Sequence, residues 1–355
     1  MQVSAQDAIH PAFQHAKQQL TQPFRFSQWT RLAFVGLLAG EMGSGGGCNF
    51  NFSVPSTHKQ QGSEHFLSGG IFTQLTHHPV MFAGLITVLV VVGFGFLVLF
   101  TYINSVMRFI LFDSVVTREC HVRQGWVRRQ RQGYRLFVWQ MLLMVTSFAG
   151  FLVLLGIPFA CAWALGWLKH PGEHLLPLVF GGIVVFFAFL AFTVVLAVVH
   201  VMTKDFVVPQ VALEDISVLE AWRRVWSWLK GEKTGYAGYI GMKILLAIGA
   251  GIVLGMITVV LLLMLLIPIG GIGIVAVLWA KAAGLTWNFY TIALAVFLGC
   301  VLFAFFMFAA SLISVPGIVF FPAYSIYFLA PRYAPLAAVL WPQPPALAIP
   351  GLSSA

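Results

Sequence analysis

The stretch TKDFVVPQVALEDISVLEAWRRVWSWLKGEKTG, residues 203–235, separates two long apolar blocks and decides how the rest of the chain is read. Ser217-x-x-Glu220 is a capping-box pattern, since the hydroxyl and the carboxylate can satisfy backbone N–H groups at a helix start, and Gly231 stands where such a helix would stop. Between them Val218, Leu219, Trp222, Val225, Trp226 and Leu229 fall on one helical face, with Glu220, Arg223 and Arg224 on the other. The pattern predicts an amphipathic helix lying flat at a membrane, its apolar side at the acyl boundary. A helix packed on protein instead of lipid would carry the same pattern, and that alternative stays open.

Working outward, composition bounds the class. The chain of 355 residues is 59% hydrophobic and 9% charged, which excludes an ordinary water-soluble globule. Residues 65–107, 136–168, 174–203, 244–280 and 282–331 contain no Asp, Glu, Lys or Arg. Each run exceeds the ~20 helical residues needed to cross about 30 Å of hydrocarbon. The expected fold is therefore all-α, a polytopic transmembrane bundle of about six membrane helices in three hairpins joined by amphipathic interfacial helices.

Charge distribution sets the orientation. Seventeen of the 20 Lys and Arg lie before residue 32, within 108–135, within 204–243, or at Arg332, while Lys59, Lys169 and Lys281 occupy the alternate loops. This positive-inside pattern places those basic segments, and both termini, in the cytoplasm of a multi-pass protein of the inner membrane. A net charge of +9 distributed in this way, including RRQRQ at 128–132, marks topology and anionic-lipid contact, and no nucleic-acid partner is expected. Cys48, Cys120, Cys161 and Cys300 form no disulfide or metal-type spacing. The polar residues 1–28 do not read as a cleavable signal peptide.

In chain order, Phe13, Ala16 and Leu20 share a face of a short interfacial helix ended by Pro23. Residues 24–43 read as a short membrane helix, with Arg31 at the inner surface and Glu41 reaching the outer one. Residues 43–76 read as a flexible outer loop. The first long span runs from Pro79 to about Ile110, and the basic connector 113–133 carries Trp126, Arg128 and Arg129. The second hairpin is 134–168 and 175–202, with a kink at Pro158. The third is 236–266 and 288–319. Its first helix carries Ala247-x-x-x-Gly251-x-x-x-Gly255, a small-residue face suited to tight packing. The Gly-interrupted segment 268–288 reads as re-entrant or interfacial, with a span as the alternative. A Pro-rich tail occupies 331–355.

The whole chain, 1–355, reads as one integral membrane domain with three repeats, 9–112, 113–209 and 210–322. Each hairpin is preceded by an aromatic anchor, Phe13, Trp126 or Trp222, and its exits correspond as ILFDSV (110–115), FVVPQV (206–211) and VFFPAY (319–324). With DFVVPQVALEDISVLEAWRRVW at 205–226 and the Trp-Arg start at Gln28 to Leu32, this arrangement resembles a broad group of bacterial polytopic membrane proteins. It is similar to the membrane region ahead of the catalytic domain in some glycerophosphodiester phosphodiesterases. The resemblance implies fold and location. The soluble catalytic barrel of those enzymes has no counterpart in this sequence.

Chemistry-bearing motifs are sparse. His58, His65, His77, His78, His170 and His174 fall on the expected outer side, where imidazoles converging from two loops would suit zinc or copper, but their spacing does not favour a metal site. No phosphate-binding loop or nucleophile motif is present, so no cofactor and no catalytic residue is assigned. His200 reads as an interfacial residue, and Asp113, Glu119 and Asp205 as caps at helix exits. The expected role is non-enzymatic, with Trp126, Arg128, Arg129, Trp222, Arg223, Arg224 and Trp226 meeting anionic lipid or a membrane-protein partner. A permease or channel for a neutral or amphipathic solute is the alternative, and a lipid-modifying enzyme the third reading.

Overall fold

The structure, a computed structural model, describes residues 4–41, 79–167, 172–282 and 289–341. Every regular element among them is helical. In order they are α1 (Ile9–Thr21), α2 (Phe26–Leu38), α3 (Pro79–Thr117), α4 (Val122–Ala164), α5 (Leu175–Met202), a π-helical turn (Thr203–Val207), α6 (Val208–Glu214), α7 (Val218–Gly231), α8 (Lys233–Ala282), α9 (Phe289–Leu329), a 3-10 turn (Ala330–Arg332) and α10 (Ala334–Leu340).

Among the described residues, five helical stretches are long and apolar enough to cross a membrane: Ile86–Thr117, Val122–Ala164, Leu175–Glu214, Lys233–Val275 and Ala293–Arg332. At 1.5 Å per residue the 39 residues of α3 extend about 58 Å, so each long helix overhangs a ~30 Å hydrocarbon layer. The overhanging ends meet in a helical base. Buried residues gather there, from Val106–Val115, Met202–Ala212, Val218–Tyr239 and Val315–Leu336, joined by α1 and α2. Away from the base the same helices expose Val91, Phe186, Ile252 and Phe297, the arrangement expected of surfaces solvated by lipid.

Several expectations change. The helix within 24–43 has only 13 residues, about 20 Å, and is not among the five candidate spans. It buries Leu32, Ala33 and Val35 in the base, with Gly36 so close to Ile318 that an added Cβ would lie 2.5 Å from its side chain. Among the described residues, five long helices thus stand against the expected number of about six. The segment expected to be re-entrant continues α8 through Pro268 to Ala282, since an apolar helix tolerates such breakers, and only 283–288 lie outside the described residues. Most of the connector 113–133 is helical, forming the end of α3 and the start of α4.

Tight packing also falls elsewhere than the small-residue face. Ala247, Gly251 and Gly255 are half-buried, and a Cβ at Gly255 would meet nothing within 4 Å. The close approaches are Gly133 on Val106, where an added Cβ would lie 3.0 Å from backbone, and Gly150 on Phe192. The three segments 110–115, 206–211 and 319–324 all enter the base core, through Ile110 and Val115, Phe206 and Val211, and Val319 and Tyr324. At their meeting point Tyr239 stacks on Tyr324 at 5.1 Å between ring centroids, and Phe206 and Phe328 complete the aromatic cluster.

Candidate functional site

The base encloses a cluster of five charges brought from four parts of the chain. After α2, Gly40 adopts φ +71°, a conformation that suits glycine, and Glu41 turns inward to 2% side-chain exposure. The π-helical turn after α5 inserts one extra residue into the helical path, which re-aims successive side chains, and π-turns of this kind recur at functional sites. Here it sets Lys204 and Asp205 in the interior. Lys204 pairs with Glu41, and Lys243 of α8 pairs with Asp205, whose Oδ2 also accepts the Tyr239 hydroxyl at 3.0 Å. A cavity of about 30 Å³ between these pairs, walled also by Pro209, Pro322 and Ser325, has room for a water molecule.

Arg108 of α3 borders this cavity and is 8% exposed. One of its nitrogens, Nη2, donates to His200 Nε2 at 3.2 Å, so that imidazole nitrogen carries no proton. Arg108 Nε and Nη1 have no acceptor among the described residues. Among the described residues, the buried Arg108 and Lys243 and the part-buried Lys204 thus face two carboxylates, Glu41 and Asp205. An unmatched buried charge is costly, and in membrane proteins such charges mark sites that bind or move something. A second pocket, about 260 Å³, opens on the other side of Arg108 between α3, α4 and α5.

None of these five charges reads as a site in the sequence, because each sits near a helix end, where a charge reads as topology. One signal was available. Arg108 is embedded in Val106-Met107-Arg108-Phe109-Ile110-Leu111-Phe112, with no polar neighbour to hold it in water. The expectation that Glu41 reaches the outer surface is corrected by its partner Lys204, which follows α5 at the base.

The residues expected to meet lipid or a partner divide into two groups. Arg129 faces inward, making a bidentate pair with Asp113 at 2.7 Å and donating to Gln132 Oε1 at 2.6 Å and to the Ala212 carbonyl at 2.7 Å. Its burial and complete pairing make it a clamp between α3, α4 and α6. Trp126 is half-buried with an edge contact to Tyr102, and Arg128 is exposed. On α7, Ser217 Oγ accepts the Glu220 N–H at 3.2 Å and the helix ends at Gly231. Val218, Ala221 and Val225 are buried and Trp222 packs near Trp139, whereas Leu219 and Trp226 remain 62% and 54% exposed. Arg224 binds Glu214 and Glu220, Arg223 is exposed, and Lys230 lies over the Trp226 ring at 5.7 Å.

Charge also ties the ends of the base together. Arg332 makes a bidentate pair with Glu232 at 2.7 and 2.9 Å, holding that carboxyl below the usual carboxylate range. The Tyr333 hydroxyl donates to Glu214 at 2.6 Å, and burial followed by this bond raises its pKa. On α1, burial lowers the pKa of His15, whose Nε2 donates to the Val115 carbonyl at 2.8 Å.

Residues 3–339 match a family of unknown function (DUF7544). The chain belongs to that family. No curated protein and no solved structure matches it. The DUF7544 match carries no link to the glycerophosphodiester phosphodiesterases. Among the described residues, no three His, Cys, Asp or Glu side chains come together as a metal would require. Of the histidines expected on the outer side only His174 is described, beside Trp167, while His58, His65, His77, His78 and His170 lie outside the described residues.

Proposed function

We propose that this DUF7544 protein is a non-enzymatic integral membrane protein of the inner membrane whose base, on the cytoplasmic side, holds anionic lipid. The observation that carries the reading is a stripe on α7: Leu219, Arg223, Trp226 and Lys230, at i, i+4, i+7 and i+11, all exposed beside the face that packs on protein. Two apolar anchors interleaved with two cations suit the boundary between acyl chains and phosphate groups. The charge bias of the connectors supports a cytoplasmic base. The buried face of α7 makes the helix part of the protein, so the stripe would select the lipids around a fixed anchor and is not needed for insertion.

The test compares the parent with a Leu219→Ala, Arg223→Gln, Trp226→Ala, Lys230→Gln variant in nanodiscs of mixed phosphatidylglycerol and phosphatidylcholine. Native mass spectrometry of the released complexes should show phosphatidylglycerol enriched on the parent and near the bulk ratio on the variant. Equal enrichment on both would remove the role given to the stripe. Loss of a co-purifying protein with unchanged lipid would point to a protein partner at the same surface.

A further inference from the structure

We infer that the pocket beside Arg108 is a specific binding site for a phosphate-bearing anion, the headgroup phosphate of a membrane lipid or a free phosphate. The inference rests on the lipid-facing reading of the base and adds a defined site apart from the α7 stripe. The pocket's polar wall comes from three helices and the π-turn: Asn104 and Arg108 from α3, Gln140 from α4, His200 from α5 and Thr203. Trp139 completes it, and its indole Nε1 is buried without an acceptor. So are two nitrogens of the guanidinium. Arg108 and Trp139, whose buried donors lack acceptors, both line this pocket, and no carboxylate does, so a small reorientation of either side chain would let an acceptor-rich anion gain bonds that the protein leaves unmade.

The charge balance points the same way. Among the described residues of the cluster, Arg108, Lys204 and Lys243 share two carboxylates, Glu41 and Asp205, an excess of one positive charge. An anion in the pocket would neutralise the cluster. Leu143 and Met144 form the pocket's apolar side, where α3 and α4 begin to expose their spans, so acyl chains could continue from a bound headgroup along the exposed Phe100 and Leu97. The His200 bond leaves its Nε2 as acceptor towards Arg108, holding the guanidinium at the pocket wall.

The experiment uses the full chain purified in a neutral maltoside detergent and follows thermal unfolding against short-chain phosphatidylglycerol, short-chain phosphatidylcholine and inorganic phosphate, for the parent and Arg108→Met. We expect saturable protection of the parent by phosphatidylglycerol, weaker protection by the zwitterionic lipid, and about tenfold weaker apparent affinity in the variant, a loss of roughly one charge-assisted bond. Without ligand, Arg108→Met should unfold no lower than the parent, because it removes the excess buried cation. Protection by inorganic phosphate that also depends on Arg108 would assign the site to a free anion. Should Arg108→Met fail to fold, Trp139→Phe keeps the ring, removes the indole donor, and should still weaken binding. Unchanged affinity in whichever variant folds, or no protection of the parent by any of the three, overturns the site. The α7-stripe variant should keep this saturable protection, so failure of the surface reading and failure of the pocket are separately visible.

Discussion

The base and the spans of this molecule are built from the same helices and obey different rules. In the base, Phe109, Phe206, Tyr239, Phe321 and Phe328 are fully buried, and charged side chains are paired across elements far apart in sequence. In the spans, apolar residues such as Val91, Phe186 and Ile252 stay exposed, because lipid tails solvate them as well as another helix would and no hydrophobic gain drives the helices together. Specific contacts are thus concentrated in the base. The spans supply insertion, and the base supplies the fold.

If that division holds, substitutions should hurt according to region more than according to residue type. The largest effect is expected for Arg129→Ala, which leaves Asp113 unpaired where Arg129 itself is 5% exposed; breaking such a pair costs about 3–5 kcal/mol, read as a lowered Tm. Arg129→Lys should recover little, since the bidentate geometry is lost. Next comes Gly133→Val against Val106, an overpacking cost of about 1–3 kcal/mol. Its counterpart in the span, Gly255→Ala, should be neutral or stabilising by about 0.5–1 kcal/mol, because the added methyl meets nothing and the helix gains propensity. A destabilised Gly255→Ala would mean that the span of α8 is packed as closely as α4 and α5 are at Gly150 and Phe192.

Smaller effects sharpen the same contrast. Ser217→Ala removes the N-cap of α7 and should cost about 1 kcal/mol by thermal unfolding. The pH response of α1 docking is expected to be the gentlest. Burial holds the His15 pKa below 6.5, so above that pH both folded and unfolded chains carry a neutral imidazole and the stability is fully present. Below pH 6.5 the unfolded chain takes up the proton first, and stability falls as the pH approaches the lower folded value. Tm measured from pH 7.5 to 5 should decline more steeply for the parent than for His15→Gln, which retains a donor for the Val115 carbonyl.

How much of this is legible in the sequence follows from the same division. Insertion is a property of composition, so the charge-free runs reveal the five long helices directly. Local chemistry is also legible, as with Ser217 and Gly231 bounding α7. What the sequence does not carry depends on contacts. The helix Phe26–Leu38 is apolar enough for a membrane and too short for one, and only its packing on α3 and α9 assigns it to the base. Pro268 and the glycines after it suggested a broken segment, yet α8 runs through them. The Arg108 cluster joins Glu41 to Lys243 across about 200 residues, and no local pattern announces that pairing. Arg129 looked like a surface cation because its run is basic, and only Asp113 beside it shows otherwise.

The division between base and spans is tested most directly by photo-crosslinking in native membranes, with a diazirine-bearing residue placed singly at Val91, Phe186, Ile252 and Phe297, and at Phe109, Phe206 and Phe321. The account predicts lipid adducts at the first four positions and crosslinks within the protein at the last three. Crosslinks between helices at the first four, or lipid adducts at Phe109 and Phe206, would contradict it.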